Sequence, residues 1–333
     1  MTLPRVYLIG TGGTISFFAK SRLDYVDYTY KTRNLPIEEM LARVPEVREM
    51  AEVRAEQLGN IASTDLGPVQ WLLLAKRINA IFRDDPQAAG VAITHGTATL
   101  EETAYFLNLT VKSDRPVVLT GAMRPPSSIS TDADLNLLDV VRTAASPAAR
   151  GKGALVVMNN EIQAARDVAK SDALRVQTMT SRALGLLGYA DSDGEVAFFR
   201  VPTRSHTLGT AFDVENMSEL PRVDIAPAYA GVDGFMVKAL VDAGVPGIVA
   251  AGMGSGSGPT SYLAALDDAV KRGVKVIVAT QSPDGRVLPK KRFADGGYIV
   301  ADNLSPKKAR ILLMLALAHS KDTAQIQQWA WSY

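Results

Sequence analysis

Residues 6–15 read Val-Tyr-Leu-Ile-Gly-Thr-Gly-Gly-Thr-Ile, and residues 91–99 read Val-Ala-Ile-Thr-His-Gly-Thr-Ala-Thr. In both stretches an apolar, β-branched run is followed at once by glycine and threonine residues. Such runs predict buried parallel strands, and open α/β sheets bind their ligands at the carboxyl ends of parallel strands. The sequence therefore predicts that Thr14 and Thr97 lie at one sheet edge, where two hydroxyl groups suit chemistry by a hydroxyl nucleophile.

Apolar runs recur along the rest of the chain, with helix-like segments between them. This alternation predicts βαβ units and hence the α/β class with parallel sheets. We expect a larger N-terminal, mainly parallel α/β domain over 1–200, a polar linker over 201–223 and a smaller C-terminal parallel α/β domain over 224–333. The predicted strand runs are 5–9, 91–94, 116–120, 154–158, 246–251 and 274–279.

Helix starts and one long loop can also be predicted from residue types. Thr99 and Glu102 have the spacing of a capping box, and Ser305-Pro306 combines an N-cap serine with proline at the first helical position. Residues 16–34 hold three tyrosines between the first threonine motif and the next helix. Their position predicts a mobile lid that closes over the site. An ordinary aromatic-rich surface loop is the alternative.

Composition excludes several functional classes. The 333 residues carry a net charge of +1 without a long basic run, so nucleic acid is not an expected partner. There is no cysteine, which excludes disulfides and thiol chemistry, and the three widely spaced histidines predict no zinc site. We expect no metal or other cofactor. No apolar stretch approaches 18 residues, so no membrane span is expected. The first residues lead directly into a strand without an apolar signal region, from which we expect a cytoplasmic protein.

The two threonine motifs resemble the signature motifs of the bacterial L-asparaginase and glutaminase-asparaginase family of threonine amidohydrolases. The resemblance covers nearly the whole chain. It implies hydrolysis of a small amide through a threonine ester with release of ammonia, in a homo-oligomer (dimer or tetramer) whose sites are shared between subunits. The other motifs that carry it are Asn60-Ile61-Ala62-Ser63, Glu101-Glu102-Thr103-Ala104, Leu119-Thr120-Gly121-Ala122-Met123-Arg124-Pro125, Arg166-Asp167-Val168-Ala169-Lys170 and the tail from Leu304-Ser305-Pro306 to Gln327-Gln328.

The first half of the catalytic set that the resemblance implies is Thr14 as nucleophile, paired with a lid tyrosine. The candidates are Tyr25, Tyr28 and Tyr30, and an ungapped count back from Val44-Pro45-Glu46 favours Tyr30, with Tyr28 second. A nucleotide-binding turn is the alternative for the glycines of the first motif. It is disfavoured because isoleucine, at position 15, stands where a third glycine would be needed.

The second half of the implied catalytic set is Thr97 with Lys170, which match the family position by position. A solvated surface charge is the alternative for Lys170. Ser63 matches the serine that binds the substrate's α-carboxylate. The residues implied to contact substrate are Gly13, Ser63, Thr64, Gly96, Ala98, Ala122 and Ser257.

The loop over 252–258 is rich in glycine and follows a predicted strand. The resemblance implies that this loop completes the site of a neighbouring subunit and that Ser257 is the contacting residue. A phosphate cradle is the alternative, but no Walker lysine follows the glycines.

Three positions depart from the family pattern that holds the substrate's α-ammonium. The family's aspartate is replaced by Ala98, the glutamine beside the binding serine is replaced by Thr64, and the glutamate position falls on Lys290 by an ungapped count from the C-terminus. A desolvated ammonium without a carboxylate is poorly stabilised, and a nearby lysine repels it. We therefore expect altered specificity. An L-asparaginase inactivated by an aspartate-to-alanine change and a non-catalytic small-molecule binding protein are the alternatives.

Overall fold

The structure, a computed structural model, describes residues 2–29 and 32–333. These residues form two compact units, one ending at Thr210 and the other beginning at Ala211. In the first unit the strands are β1 (Arg5–Gly10), β2 (Phe17–Phe18), β3 (Arg33–Asn34), β4 (Glu52–Gln57), β5 (Ala88–Thr94), β6 (Val117–Thr120), β7 (Ala154–Met158), β8 (Glu161–Ala164), β9 (Ala169–Lys170), β10 (Met179–Thr180), β11 (Gly188–Ala190) and β12 (Val196–Phe198), and the helices are α1 (Ile37–Ala42), α2 (Val47–Met50), α3 (Pro68–Asp84), α4 (Leu100–Thr110) and α5 (Ala133–Ala145).

The first unit is built on an eight-stranded sheet in the order β12-β11-β8-β7-β6-β5-β1-β4. Strands β4, β1, β5, β6 and β7 are parallel, and β8, β11 and β12 extend the sheet as antiparallel strands. Strands β1 and β5 are direct neighbours, with Ile9 opposite Ile93 and Gly10 opposite Thr94. The two threonine motifs therefore leave the sheet side by side.

The core of the first unit explains why its central strands read as continuous apolar runs. Val6, Leu8 and Ile9 of β1 are fully buried, as a parallel strand covered on both faces requires. Helix α5 contributes Val140 and Val141, also fully buried, to the core cluster that includes the strand side chains.

The strands of the second unit are β13 (Val223–Pro227), β14 (Gly247–Gly252), β15 (Lys275–Thr280) and β16 (Ile299–Val300), and its helices are α6 (Phe235–Asp242), α7 (Thr260–Lys271), α8 (Lys291–Asp295), α9 (Pro306–His319) and α10 (Thr323–Ser332). The four strands form a parallel sheet in the order β13-β14-β15-β16, which confirms the predicted smaller parallel α/β domain. Helix α9 begins at Pro306, and the Ser305 side chain accepts a hydrogen bond from Lys308 N, as its N-cap position predicts.

The capping box predicted for Thr99 and Glu102 is wrong in its side-chain arrangement, although α4 does begin directly after Thr99. The Thr99 hydroxyl makes no cap bond. It donates instead to the Ser63 carbonyl oxygen at 2.6 Å, because the chain near Ser63 crosses the helix start at hydrogen-bond distance. The amide of Glu102 donates to the main-chain oxygen of Thr99 at 3.0 Å.

Within residues 2–29 and 32–333, no helix combines the length and the apolar character that a membrane crossing requires.

Candidate active site

Two glycines bring the threonine motifs into direct contact. A Cβ atom on Gly13 would lie 2.2 Å from the Cα atom of Gly96, and Gly13 has a φ of +92°. Both the space and the backbone conformation therefore exclude other residues. Thr11 fastens the same junction, because its amide and its hydroxyl both donate to Thr94 O, at 3.1 and 2.8 Å. The first residue after this junction is Thr14.

The Thr14 hydroxyl pairs with a tyrosine of the predicted lid. Thr14 Oγ1 lies 2.8 Å from the Tyr28 hydroxyl oxygen, and either atom can donate. Both residues are half-buried. Tyr28 packs edge-to-face on Phe17, with ring centroids 6.1 Å apart. Tyr30, the tyrosine favoured by the sequence count, lies outside the described residues.

Contacts of the lid hold it against the segment around Ile129. The amide of Ala19 donates to Ser127 Oγ at 2.9 Å, and the amide of Ile129 donates to Arg22 O at 3.1 Å. The Tyr25 hydroxyl donates to Ile129 O at 3.1 Å. Tyr25 is therefore a lid anchor, whereas Tyr28 contacts the threonine.

The second pair joins the hydroxyl of Thr97, in the turn between β5 and α4, to the ammonium of Lys170. Lys170 Nζ donates to Thr97 Oγ1 at 2.6 Å and lies 3.2 Å from Met123 Sδ. The Thr97 hydroxyl in turn lies 3.4 Å from the same sulfur. Strand β9 presents Lys170 because its short pairing with β10 places that residue opposite Met179. A positive charge at this distance stabilises negative charge on a nearby oxygen atom.

An aspartate that sequence reasoning missed shapes the loop that carries Met123. The two carboxylate oxygens of Asp132 accept from the amides of Met123 and Arg124, both at 2.9 Å. Asn136 donates from its side chain to Gly121 O at 2.9 Å. The only sequence signal for this arrangement is an acidic residue at the start of α5, a common feature of helix N-termini.

Three of the predicted substrate-contact residues of the first unit, Gly13, Gly96 and Ser63, meet at this junction. A Cβ atom on Gly96 would lie 2.6 Å from both Cβ and Oγ of Ser63, so the serine lies directly on the second motif. Thr64 and Ala98, the residues beside it and beside Thr97, are exposed. The remaining member, Ala122, is 1% exposed.

Two predicted positions, Ser257 and Lys290, belong to the second unit. Ser257 is exposed and pairs with Met253 through main-chain hydrogen bonds. Lys290 Nζ donates to the hydroxyl of Ser255 at 2.6 Å and to its carbonyl oxygen at 3.1 Å. The Lys290 side chain thus contacts the glycine-rich loop of its own unit.

A buried histidine behind the second motif was also not singled out by the sequence. His95 is completely buried, and burial lowers its pKa to about 4. Three or more metal-binding side chains do not cluster anywhere in the parts of the chain that the structure describes.

The chain matches two family models of known proteins. The model of the family "Asparaginase, N-terminal" matches residues 5–204, and that of "Glutaminase/Asparaginase C-terminal domain" matches residues 222–329. The chain belongs to the asparaginase family. An asparaginase-family chain is an amidohydrolase of linear amides, and the structure places the chain's two hydroxyl pairs at one sheet edge.

Relatives match this asparaginase-family chain along almost its whole length. L-asparaginase 2 of Bacillus subtilis is 42% identical over 98% of this chain and 86% of its own. A probable periplasmic L-asparaginase of Haemophilus influenzae is 42% identical over 98% of this chain and 92% of its own. The crystal structure of a probable cytoplasmic L-asparaginase from Campylobacter jejuni has a TM-score of 0.94 at 40% identity, with 99% of each chain covered.

Proposed function

We propose that this chain hydrolyses a small linear amide that bears a carboxylate but no free α-ammonium, with Thr14 as the nucleophile and ammonia as a product. The observation that carries the proposal is the pairing of two hydroxyls with two proton-transfer groups across one glycine contact. Thr14 lies 2.8 Å from the hydroxyl of Tyr28, and Thr97 lies 2.6 Å from the ammonium of Lys170.

In the first step, Thr14 Oγ attacks the amide carbon and the C–N bond breaks. The threonine proton passes through the Tyr28 hydroxyl toward the departing nitrogen, which leaves as ammonia. The product is an ester between Thr14 and the acyl group. A hydroxyl within hydrogen-bond reach of the nucleophile is the geometry that such a transfer requires.

In the second step, water cleaves the ester, which releases the carboxylic acid and restores the Thr14 hydroxyl. We assign the orientation of that water to Thr97 and Lys170, because the lysine's positive charge stabilises negative charge that develops on nearby oxygen atoms. Ser63, which packs directly on Gly96, is assigned to the substrate's carboxylate.

Specificity follows from what stands at positions 98 and 64. The hydrogen bond from Thr99 to Ser63 O joins the two segments, so Ala98 and Thr64 flank one contact. Neither side chain bears a negative charge. A substrate ammonium here would gain no charge-assisted hydrogen bond from either side chain, a loss of about 1.5–3 kcal/mol for each missing partner.

Two alternative functions follow from the same residue, Ala98. The missing carboxylate at position 98 also favours a binding protein without turnover, or an asparaginase inactivated by this change. These alternatives differ from the proposal in whether ammonia is released, and from each other in whether Ala98→Asp creates asparagine hydrolysis.

Ammonia release over matched substrate pairs tests the proposal. L-Asparagine and L-glutamine are each compared with succinamate and glutaramate, which differ from them only in lacking the α-amino group, and with N-substituted analogues. We expect turnover on an amide that lacks the free ammonium. Binding without ammonia from every member of the set would instead support the binding-protein alternative.

Assembly and location are further parts of the proposal. We propose a homo-oligomer, dimer or tetramer, in which Ser257 and Lys290 serve the site of a neighbouring subunit, and a cytoplasmic location in keeping with the name of the Campylobacter jejuni relative. Light scattering of the purified protein and fractionation of cells test these two points. A monomer with full activity, or recovery in the periplasmic fraction, would contradict them.

A further inference from the structure

Behind the second threonine motif, a chain of buried hydrogen bonds runs from α3 to the main chain at Gly96. Trp71 Nε1 donates to Thr103 Oγ1 at 2.9 Å, and Thr103 Oγ1 lies 2.9 Å from His95 Nε2. His95 Nδ1 lies 2.8 Å from Gly96 O. The three side chains are no more than 2% exposed, so water does not compete for their hydrogen bonds.

The chemistry of these atoms fixes the direction of every bond. A carbonyl oxygen only accepts, so His95 Nδ1 carries the hydrogen that is donated to Gly96 O. The buried ring is neutral, which leaves Nε2 as an acceptor for the Thr103 hydroxyl hydrogen. The threonine oxygen then accepts from the indole of Trp71, which can only donate. One neutral tautomer satisfies all the polar atoms of this chain.

The end of this chain is the peptide that precedes the catalytic threonine. The bond to His95 fixes the direction of Gly96 C=O, and in a trans peptide the N–H of Thr97 then points the opposite way, away from the imidazole. The Cα atom of Gly96, at which this peptide begins, abuts Gly13, and a Cβ atom at that position would meet Ser63, so a shift of Gly96 would disturb the contact between the two motifs. Its orientation also sets where the Thr97 hydroxyl stands relative to Lys170.

We propose that His95 is a positioning residue, which with Thr103 and Trp71 locks the Gly96–Thr97 peptide and so keeps Thr97 Oγ1 on Lys170. The inference rests on the proposed function for its effect on rate, and on the buried geometry alone for its effect on structure. A histidine that merely fills the core would stabilise the fold without affecting the reaction. The experiment therefore separates rate from stability.

Thr103→Val and Thr110→Val form a matched pair for this test. Both threonines lie fully buried in α4, but the Thr110 hydroxyl donates to Phe106 O within the helix, far along the chain from the motif. We expect Thr103→Val to lower kcat by about 10- to 100-fold with little change in KM, as small misplacements of catalytic groups do. Thr110→Val should keep kcat within about twofold, and Thr103→Ser should restore most of the loss. Equal kcat values in the two valine variants would overturn the proposal.

Nitrogen-15 NMR of uniformly labelled protein tests the geometry without any substrate. The chain has only three histidines, and His95→Asn identifies the signals of the buried one. We expect a neutral ring with the proton on Nδ1 throughout pH 5–8, and a larger shift of the Thr97 amide signal in Thr103→Val than in Thr110→Val. A ring protonated on Nε2, or equal amide shifts, would overturn the inference. Failure to hydrolyse any amide, with the expected NMR result, would contradict only the proposed function.

Discussion

Threonine hydroxyls in this chain serve two different purposes. Thr11 donates to a main-chain oxygen and fastens the two motifs together, whereas Thr14 and Thr97 contact the polar ends of Tyr28 and Lys170. Only a hydroxyl beside a group that can accept or supply a proton can take part in acyl transfer. Residue type alone does not make this distinction, because Thr11 and Thr14 belong to the same motif.

Thr14→Ala should lower kcat by at least about a thousandfold, because loss of a nucleophile leaves only substrate binding and charge stabilisation. The matched control is Thr11→Val in the same motif. It removes a hydroxyl whose hydrogen bond goes to Thr94 O. The control should retain activity within about tenfold. Steady-state ammonia release on the preferred amide measures both. Activity of Thr14→Ala within about tenfold of the unmodified protein would make Thr97 the candidate nucleophile.

Lys170→Met should lower kcat by about two orders of magnitude or more, because it removes the charge that lies on Thr97 Oγ1. The control is Lys112→Met, which removes an ammonium that donates to the carbonyl oxygen and to the hydroxyl of Thr210. We expect the control to lose stability but keep its rate. Rates and melting temperatures of the two variants give the comparison. A normal rate in Lys170→Met would show that the second hydroxyl pair takes no part in the reaction.

At the level of elements, the predicted lid brings Tyr28 to Thr14, the proposed nucleophile. Strands β2 and β3 join its two ends, with Phe17 opposite Asn34, and hydrogen bonds to Ser127 and Ile129 hold its outer part. The loop between these anchors delivers Tyr28 to Thr14. The ungapped count that favours Tyr30 assumes an unchanged length of this loop, and Tyr30 itself lies outside the described residues.

Tyr28→Phe should lower kcat by about 100-fold or more, because it removes the hydroxyl that accepts the Thr14 proton in the proposed mechanism while it keeps the ring on Phe17. Tyr25→Phe is the matched control, since it removes one hydroxyl from the same lid at an outer anchor. That change should alter KM more than kcat. If Tyr25→Phe were the more damaging to kcat, the assignment of Tyr28 would be wrong.

Strands buried on both faces were predictable from sequence, and partly exposed strands were not. The apolar runs at 5–9 and 274–279 became β1 and β15 within one residue at each end. Strand β4 reads Glu-Val-Arg-Ala-Glu-Gln and alternates in burial, so it resembles a polar loop unless its pairing with β1 is known. The strands β8 to β12 are only two to four residues long, too short to show a periodicity, and they pair with antiparallel partners.

The candidate site was predictable where a turn joins strand to helix, and not where distant elements converge. The glycine turns mark Thr14 and Thr97 directly. The bond from Thr103 to His95 joins a helix to a strand end, and its partner Trp71 comes from a third element. No local pattern encodes such a meeting, because each residue taken alone is ordinary in a buried core.

For the whole molecule, two buried titratable groups give stability opposite dependences on pH. Burial lowers the pKa of His95 to about 4, so its contribution is present above pH 6.5 and is lost as the pH falls through 4. Burial raises the pKa of Asp139 to about 6, so its contribution is present below pH 3.8 and is lost as the pH rises through 6. The two trends partly offset each other in the folded protein.

The stability of a variant without the His95 imidazole should therefore fall less as the pH is lowered. Between pH 7 and pH 4.5, we expect the free energy of unfolding to fall by about 2–3 kcal/mol less in His95→Asn than in the unmodified protein, because only the latter keeps the fully buried imidazole of His95, which folding holds neutral. Urea denaturation at the two pH values measures the difference, and the contribution of Asp139 cancels in the comparison. Identical acid sensitivity would contradict a neutral His95.

The central claim for the whole molecule is that it recognises an amide without an α-ammonium, because Ala98 and Thr64 offer that group no charged partner. The most direct test is the ratio of kcat/KM for succinamate to that for L-asparagine, in the unmodified protein and in Ala98→Asp. We predict a ratio of at least about 100 in the unmodified protein, from two lost hydrogen bonds, and a fall of about tenfold or more in Ala98→Asp. The claim is contradicted if the unmodified protein hydrolyses L-asparagine with a kcat/KM of about 10⁴ M⁻¹s⁻¹ or more, the lower end of the usual enzyme range, or if no amide lacking the ammonium exceeds it.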